Sequence, residues 1–513
     1  MDTKRDYRKL LSGDRIQVRA GKKPDQRDGG RKIEPFYSDR SRILYCSAFR
    51  RLQQKAQVFS METNSNVRSR LTHSLEVADL GRRLAEAISA QLRNLKSVKG
   101  FTHITGPVVV SIVENACLLH DIGNPPFGHF GEAAIQDWAK KRLKEVTPAA
   151  LVAPDGNWID DLEPLMRDFE EFDGNPQGFR TVTKLFREFG DCGLNLTHAT
   201  LLCALKYARG AGEKIDEAWG VPRDIVKKAG YFQTEAEVVE KLRAGVGLPA
   251  HRRYPLTYIM EAADDIAYCM SDIADGIEKR LLSEAEFIET FADIWDKKYG
   301  GDYPREIEAL LPDHRKKKRR TGQEPRKMYG FNRDFSVPWS IRATEEAVRA
   351  YISDHDAIFE GTAKPLMERD GEMCRVLKTI RSVCGKLLYP TAAAESIELT
   401  GYAVIGGILR HYERLLELDY EQFLWLVDPD EAENRGGHMP RLDVERRLYN
   451  RFGKGCVAAY RQAVEKLDES EPSFAAKEWW LRVHLLVDHI SSMTDAHALE
   501  SYQMLEGIAL MRT

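Results

Sequence analysis

One stretch of the chain, LLHDIGNPPFGHFGEAA (residues 118–134), combines residue types that could carry out metal and acid–base chemistry. It places His120 directly beside Asp121, interrupts the chain with glycines and prolines, and then supplies His129 and Glu132. Imidazoles and carboxylates bind divalent metal ions, and an imidazole exchanges protons near neutral pH. We therefore expect a metal site with acid–base groups on the adjoining loop.

Two other segments could complete such a site. In LTHSLEVADLGRRLAEAIS, His73 shares one helical face with Val77, although a histidine there more often packs in a core than binds a metal. In MEAADDIAYCMSDIADG, the residues Asp264, Tyr268 and Asp272 lie one turn apart on an apolar, alanine-rich face. A carboxylate on such a face is costly to bury unless it is paired or bound to a metal. Two imidazoles and two carboxylates suit Mn, Fe, Mg or Zn, and they do not select one metal.

The elements that must position these residues are mostly helical. The two segments just quoted predict long amphipathic helices, and KEWWLRVHLLVDHISSMT near the C-terminus predicts a third. Alternating patterns typical of strands are few, and RLQQKAQVFSM and GLNLT are the candidates for a small hairpin or short extended pieces. The sequence therefore predicts a mainly α fold with a few short strands.

Composition excludes several classes of protein. The 513 residues carry 76 basic and 79 acidic side chains, and the net charge of −3 excludes a polycation built for nucleic acid. No apolar run approaches the roughly 18 residues of a membrane span, and the N-terminus lacks the apolar core of a signal peptide. The eight cysteines show no CxxC spacing and are interpreted as reduced thiols, so we expect a cytoplasmic protein.

The order His, then His-Asp, then Asp resembles the HD-domain superfamily of metal-dependent phosphohydrolases, and within it the deoxyguanosinetriphosphate triphosphohydrolases. The resembling stretches run from about residue 39 to residue 499: SRILYCSAFRRLQQKAQVF, RSRLTHSLEV, LLHDIGNPPFGHFGEAA, EFDGNPQGFR, NLTHATL, YPLTYIMEAADDIAY and DHISSMTDAHAL. The family commonly shows a third histidine where Asn124 stands here. Because that position is not a ligand position, we expect the departure to be harmless.

The resemblance implies hydrolysis of a deoxynucleoside triphosphate, preferentially dGTP, to the deoxynucleoside and inorganic triphosphate, with Mg or Mn as the metal. The residues that it makes metal ligands are His73, His120, Asp121 and Asp264. The residues that it makes catalytic are His129 and Glu132. The residues that it favours as phosphate contacts are Asn195, Lys206, Tyr207 and Lys228. Without the resemblance, each of these lysines would be interpreted as an ordinary surface residue.

Within this scheme, the leaving 5′-oxygen needs a proton, which a histidine near neutral pH can supply. We expect His129 to be the general acid or proton shuttle and Glu132, one turn on in a helix that begins after Pro126, to orient it. Which of the two handles the attacking water stays open. The alternative is a loop histidine followed by an acidic residue that the helix dipole favours in a first turn.

Four residues are candidates for the nucleoside. The ring of Tyr268 could lie under the deoxyribose and exclude a 2′-hydroxyl, although a plain core aromatic is a fair alternative. Asp272 could accept the 3′-hydroxyl, with Gln57 as a second partner. Glu398 could accept two hydrogen bonds from N1 and N2 of guanine, which would favour guanine over adenine.

We divide the chain into four regions: a mobile basic and polar arm (1–35), an HD phosphohydrolase core (36–312), a basic loop (313–330) and a C-terminal helical region (331–513). We expect the last region to pack on the core and to contribute to the substrate site and to an oligomer interface, because the resemblance implies a homo-oligomer. Two other functions stay open. One is a different HD phosphohydrolase, such as a nucleotidase or phosphodiesterase. The other is a nucleic-acid-binding protein with a vestigial HD core, suggested by HRKKKRR, whose charge could equally bind single-stranded nucleic acid as a regulator.

Overall fold

Helices dominate the fold. The computed structural model describes residues 5–17, 33–62, 64–186, 192–311, 330–436, 438 and 440–508. Most of the predicted arm and all of the predicted basic loop except Gly330 lie outside these residues. The mainly α prediction is confirmed by the helices described next.

Twelve α-helices precede residue 312 in the described part of the chain. Their bounds are α1 (Glu34–Tyr45), α2 (Ser47–Arg51), α3 (Arg70–Leu92), α4 (Thr105–Leu119), α5 (Gly128–Lys141), α6 (Arg167–Glu170), α7 (Gly174–Arg180), α8 (His198–Ala204), α9 (Ala236–Val246), α10 (Thr257–Glu278), α11 (Glu284–Tyr299) and α12 (Arg305–Glu308). Ten more follow residue 330. They are α13 (Val337–Ser353), α14 (His355–Phe359), α15 (Glu372–Leu387), α16 (Ala392–Tyr412), α17 (Tyr420–Val427), α18 (Pro429–Asn434), α19 (Asp443–Tyr449), α20 (Lys454–Val464), α21 (Phe474–Ser491) and α22 (Asp495–Leu505).

Shorter helical turns join these elements. The 3₁₀ turns are Leu52–Gln54, Ala149–Leu151, Glu163–Met166, Glu217–Trp219, Arg223–Ile225, Gln233–Glu235 and Glu413–Leu415. The π-helical turns are Thr181–Leu185 and Asn332–Ser336. Four very short strands pair in parallel, β1 (Arg5–Asp6) with β2 (Val98–Lys99) and β3 (Arg209–Gly210) with β4 (Ala229–Tyr231).

The two stretches suggested for a hairpin do not form one. RLQQKAQVFSM contains the 3₁₀ turn Leu52–Gln54 and a single antiparallel bridge from Ala56 to Ser69. GLNLT contributes one bridge, between Thr197 and Arg15. The hairpin alternative is wrong, whereas each stretch contributes a short extended piece that forms one bridge. The first stretch supports the N-terminus of α3, where the carbonyl of Lys55 accepts a hydrogen bond from the amide of Arg70.

Three helices form the centre of the fold. α4 is apolar on nearly all sides, and α1, α3, α8 and α10 pack around it. Gly81 of α3 permits the close approach of α3 to α4, since a Cβ there would lie 2.5 Å from Sγ of Cys117. Ser69 caps α3 by accepting the amide of Thr72, which fixes where the helix begins. The first turn of α3, the end of α4 and the middle of α10 therefore have defined positions.

Two hydrophobic cores lie side by side, and each contains residues from before position 313 and from after position 330. The first joins α3, α4 and α10 to α13 and α15, and the second joins α5 to α16 and α21. Helix α16 lies so close to the loop before α5 that a Cβ on Gly401 would lie 2.4 Å from Cβ of Phe127. Among the described helices, none has both the length and the apolar character needed to cross a membrane.

Candidate active site

The sequence-predicted ligands converge from three helices. His73 lies in the first turn of α3, His120 and Asp121 follow the last residue of α4, and Asp264 lies in the middle of α10. One ligand atom from each of His73, His120 and Asp121 lies within 4.8 Å of the others. Oδ1 of Asp264 lies 3.4 Å from Nε2 of His73 and 3.5 Å from Nε2 of His120. We call these four residues the HD cluster.

The donor atoms of the HD cluster fit a metal ion. Nδ1 of His120 donates to the carbonyl of Cys117 at 2.7 Å, which leaves the lone pair of Nε2 free. Nε2 of His120 and both ring nitrogens of His73 are buried without a hydrogen-bond partner among the described residues. Buried polar atoms that lack partners in a converging set are what a bound cation would satisfy.

Neighbouring cations keep the carboxylates of the cluster ionised. Burial raises the pKa of Asp121, but the guanidinium of Arg70 and the imidazoles of His120 and His73 outweigh it and lower the pKa to about 2. Nη1 of Arg70 donates to Oδ2 of Asp121 at 2.9 Å. Burial likewise opposes ionisation of Asp264, yet Lys206 and the two imidazoles hold its pKa well below the usual value. Ionised carboxylates are the form that binds metals.

His129 and Glu132 form a hydrogen-bonded pair at the N-terminus of α5. Nδ1 of His129 lies 2.8 Å from Oε2 of Glu132, and Oε1 of Glu132 accepts the amide of Gly174 at 2.8 Å. The hydrogen bond to Glu132 raises the pKa of His129. The side chain of Glu132 is buried, whereas that of His129 is 78% exposed. The pair therefore presents an accessible imidazole on a fixed carboxylate.

Three of the four predicted phosphate contacts lie around this pair and the cluster. Nζ of Lys206 donates to Oδ2 of Asp264 at 2.9 Å. Lys228 forms an ion pair with Asp173, the residue before the glycine that binds Glu132. Tyr207 is buried, and burial raises the pKa of its hydroxyl. The positive charges of Lys206 and Lys228 act in the opposite direction and lower that pKa. These groups form a cationic patch beside the HD cluster.

Asn195 is not brought to this patch. Its side-chain amide donates to the carbonyl of Gln17 and accepts the amide of the same residue, and the described contacts of Asn195 involve the N-terminal segment. Its backbone carbonyl accepts hydrogen bonds from the guanidinium groups of Arg15 and Arg42. The prediction of a phosphate contact is therefore not supported at Asn195, because its amide already has partners there.

The predicted nucleoside contacts occupy different surroundings. The hydroxyl of Tyr268 lies 3.0 Å from that of Tyr389, which donates to Oδ2 of Asp272 at 2.7 Å. Burial raises the pKa of Asp272 to about 6. Oε1 of Gln57 is buried without a partner in the described part of the chain. Glu398 is half-buried on α16, the helix that packs on α5.

Comparisons with known proteins agree with this geometry. Residues 70–167 match the HD domain. A deoxyguanosinetriphosphate triphosphohydrolase of Enterobacter sp. (strain 638) is 37% identical over 490 residues, which cover 92% of this chain and 94% of that protein. Proteins of the same name from two strains of Klebsiella pneumoniae are 38% identical with the same shares covered. The chain belongs to the deoxyguanosinetriphosphate triphosphohydrolase family.

Membership of this family makes the chain an enzyme that depends on a metal. The two alternative functions from the sequence, a different HD phosphohydrolase and a vestigial HD core, are not favoured. The residues that match the HD domain include three of the four cluster residues, and Asp264 of α10 joins them from outside that range.

Sequence reasoning missed several residues of this triphosphohydrolase-family site. Arg70 binds Asp121, and a signal was available, since it lies one turn before His73 on the same buried face of α3. Asn124, which we expected to be harmless, donates from Nδ2 to Oδ1 of Asp121 at 2.6 Å. Lys55 donates to the carbonyl of Asn124 at 2.6 Å. No spacing in the sequence could have found these last two contacts, because they depend on the shape of the loop.

Proposed function

We propose that the protein hydrolyses deoxynucleoside triphosphates, preferentially dGTP, to the deoxynucleoside and inorganic triphosphate. The observation that carries the proposal is the convergence of the HD cluster beside the His129–Glu132 pair. The family named for this reaction, to which the chain belongs, supports it. Attack would occur at the α-phosphorus, since the whole triphosphate leaves the nucleoside.

We assign the HD cluster, His73, His120, Asp121 and Asp264, as the metal ligands, and Mg or Mn as the ion. Their mixed nitrogen and oxygen donors suit either metal. A bound divalent ion would neutralise charge on the α-phosphate and orient a water for in-line displacement. Arg70 is a positioning residue in this proposal, because its hydrogen bond holds Asp121 ionised and fixed.

We assign His129 as the general acid or proton shuttle and Glu132 as its positioning partner. The Nδ1–H group of His129 donates to Glu132, so Nε2 is the atom that reaches the substrate. Its exposure and raised pKa support a protonated imidazole that gives its proton to the leaving 5′-oxygen. The amide of Gly174 keeps Glu132 in place.

Substrate contacts follow from the cationic patch and from α10. We assign Lys206, Tyr207 and Lys228 to the phosphates, because two buried or half-buried cations there have the charge that a triphosphate requires. For the sugar we assign Tyr268 and Asp272, which Tyr389 links by hydrogen bonds. A ring packed under the deoxyribose would reject a 2′-hydroxyl sterically.

Two weaker assignments complete the nucleoside site. Gln57 is proposed as a second partner of the 3′-hydroxyl, supported by its unpartnered Oε1. Glu398 is proposed to accept guanine N1 and N2, supported by the packing of α16 on α5. In this proposal the C-terminal helical region (331–513) contributes to the substrate site of the core (36–312).

The proposal extends to the compartment, the oligomeric state and a regulator. Eight cysteines, none in a disulfide among the described residues, favour the reducing cytoplasm. We propose a homo-oligomer whose interface uses C-terminal helices, supported by exposed apolar side chains such as Leu399 and Ile341. The proposal of single-stranded nucleic acid as a regulator depends on the basic loop 313–330, nearly all of which lies outside the described residues. Salt-dependent DNA retention that disappears on neutralising Arg315 to Arg320 would support it.

The experiment that tests the function is product analysis. The protein is incubated with each dNTP and each NTP, with Mg²⁺ or Mn²⁺, and the phosphate products are identified. We expect intact triphosphate, released fastest from dGTP and not from ribonucleotides. Release of pyrophosphate or orthophosphate would contradict the proposal and favour another HD phosphohydrolase.

A further inference from the structure

A cavity of about 620 Å³, apart from the proposed active site, lies between the core and the C-terminal helices. Its walls come from α2, the loop after α4, α7 with the π-helical turn that follows, the N-terminus of α20, and the end of α21. None of its lining residues belongs to the HD cluster, the His129–Glu132 pair or the substrate contacts assigned above. Its volume is that of a small-molecule binding site.

Three cationic side chains line this cavity: Arg51, Lys55 and Lys454. None of them forms an ion pair with a carboxylate in the described part of the chain. Arg51 donates only to Oγ of Ser47 and lies over the ring of Phe186. The side chain of Lys454 is exposed at the cavity mouth. Lone cations gathered at one concave surface favour an anionic ligand.

Among the three cations, Lys55 points most directly to an anionic ligand. Lys55 is only 4% exposed, and its Nζ donates to the backbone carbonyls of Asn124 and Ser491, at 2.6 and 2.7 Å. Burial lowers the pKa of Lys55 to about 7, and repulsion by Arg51 acts in the same direction. The ammonium retains a third N–H group for a ligand. An anion bound beside it would offset the cost of burying its charge.

The carboxylate that lines the cavity does not compete with an anion. Both oxygens of Asp488 accept hydrogen bonds from the buried guanidinium of Arg180. Oδ1 also accepts Nε2 of Gln177 at 3.0 Å. Its charge is therefore already compensated inside the protein.

Two buried polar atoms of lining residues lack partners. Oε1 of Gln177 and Oγ of Ser491 make no hydrogen bond in the described part of the chain, and the two residues are 1% and 4% exposed. The bond from Gln177 to Asp488 fixes the orientation of its amide, so the free atom can only accept. A ligand that satisfies it must carry a hydrogen-bond donor besides its negative charge.

The N-terminus of α20 adds partial positive charge at the same place. Gly453, its N-cap residue, offers no side chain to the first-turn amides. Gly455 lets this turn approach the π-helical turn, since a Cβ there would lie 2.4 Å from the carbonyl of Leu185. Uncapped amides therefore face the region where the three cations gather.

We propose that this cavity binds a small phosphorylated molecule that also carries hydrogen-bond donors, the chemistry of a nucleoside monophosphate. The phosphate lies among Lys55, Arg51, Lys454 and the N-terminus of α20. A hydroxyl or amino group donates to Gln177. The site is separate from the proposed active site, and only its linkage to metal affinity rests on the proposed function.

The cavity is connected to the HD cluster by two hydrogen bonds. Lys55 binds the carbonyl of Asn124, and the side chain of Asn124 binds Asp121. A ligand bound to the third N–H group of Lys55 restrains the same ammonium that holds the carbonyl of Asn124, and so changes the support of Asp121. Occupancy of the cavity is therefore linked to metal affinity, and the linkage is reciprocal.

The test is calorimetric titration of dGMP into the full chain in metal-free buffer with EDTA. We expect Lys454→Ala and Arg51→Gln to weaken dGMP binding about tenfold or more, the loss of one charge-assisted hydrogen bond. The control Lys466→Ala removes an exposed lysine that does not line the cavity, and it should bind as the wild type does. Inorganic phosphate and deoxyguanosine, which each carry half of the chemistry, should bind more weakly than dGMP.

Three outcomes would overturn the proposal. One is equal dGMP affinity in the wild type, Lys454→Ala and Arg51→Gln. Another is the loss of all dGMP binding in Lys228→Ala, which would assign the binding to the proposed active site. The third concerns the linkage, which is overturned if saturating dGMP leaves the Mn²⁺ affinity of the wild type unchanged. Circular dichroism of each variant establishes that it is folded.

Discussion

Two sets of histidine and aspartate in this molecule, one partly buried and one fully buried, have different properties. The HD cluster gathers two imidazoles and two carboxylates from α3, α4 and α10. The other set is one pair, His484 of α21 and Asp168 of α6, with Nε2 of the histidine 3.0 Å from Oδ2 of the aspartate. Both residues of that pair are fully buried. Residue type alone therefore does not distinguish a metal site from a structural contact.

The charged neighbours make the difference. Around the HD cluster, Arg70 and Lys206 lower the pKa of Asp121 and Asp264 despite burial. Around the His484–Asp168 pair, burial prevails: it raises the pKa of Asp168 and lowers that of His484. The carboxylates of the first set have lowered pKa values, whereas burial of the second set shifts both pKa values against the charged forms.

The surroundings agree with this division. The imidazole of His484 packs against the rings of Phe169, Phe232 and Trp480. In the HD cluster, Nε2 atoms from two histidines face one carboxylate oxygen and lack hydrogen-bond partners among the described residues. A candidate metal site is thus recognised by converging unpaired donors with nearby cations, and this difference makes the following predictions testable, in order of their expected effect on turnover.

The largest effect is expected for Asp264→Ala. It removes the carboxylate that both imidazoles face and leaves Lys206 without its partner, so the protein should lose metal and about 10³-fold in turnover. Metal content is measured by elemental analysis after dialysis, and turnover by triphosphate release. Asp265→Ala is the matched control, since the adjacent carboxylate pairs with Arg381 instead. Full metal occupancy in Asp264→Ala would remove this residue from the ligand set.

His129→Ala should separate catalysis from metal binding. The side chain is exposed and contacts Glu132 rather than the HD cluster, so metal content should stay at the wild-type level. Turnover should fall by about 10²-fold, the lower end of the range for loss of a general acid. The same assays measure both quantities. Wild-type turnover in this variant would exclude His129 from the mechanism.

Glu132→Gln tests the pair through its pH dependence. Glu132 raises the pKa of His129, although burial and the charges of Arg70 and Lys228 oppose it. His129 is therefore fully protonated below the ordinary pKa of histidine, and it loses its proton as the pH rises through the raised pKa. In Glu132→Gln, the alkaline limb of kcat against pH should move to lower pH, and turnover should fall about 10- to 100-fold. An unmoved limb would mean that another group donates the proton.

Much of the fold was predictable because it depends on periodicity. The helical faces that carry His73 and Asp264 appear as α3 and α10, and the helix after Pro126 appears as α5. The hairpin suggested for RLQQKAQVFSM does not form, because the backbone of this stretch pairs with the segment that begins α3. Periodicity describes a helix by itself, and it does not describe which segment supports another.

The candidate site was predictable to the same degree. Residues within helices or beside their ends, such as His73 and His129, could be chosen from spacing and from the resemblance. Partners that depend on tertiary contacts, such as Lys55, Asn124 and Tyr389, could not, since each lies far along the chain from the helix that it supports or in a loop. The hydrogen bonds between Asn195 and Gln17 could not be predicted for the same reason, and the phosphate contact of Asn195 stays a prediction.

The smallest effect on turnover is expected for Asp168→Ala, which tests the other side of the comparison. Asp168 accepts hydrogen bonds from the amide of Gln233, from Nε1 of Trp480 and from His484, so its loss leaves buried donors unpaired. The free energy of unfolding should fall by about 3 kcal/mol, measured by urea denaturation. Asp168→Asn retains one acceptor oxygen, so its free energy of unfolding should fall by less than that of Asp168→Ala. Metal content and turnover of the folded variant should match the wild type, because neither residue of the pair belongs to the HD cluster. Loss of metal without loss of stability would show that both sets bind metal. The distinction drawn from their charged neighbours would then be wrong.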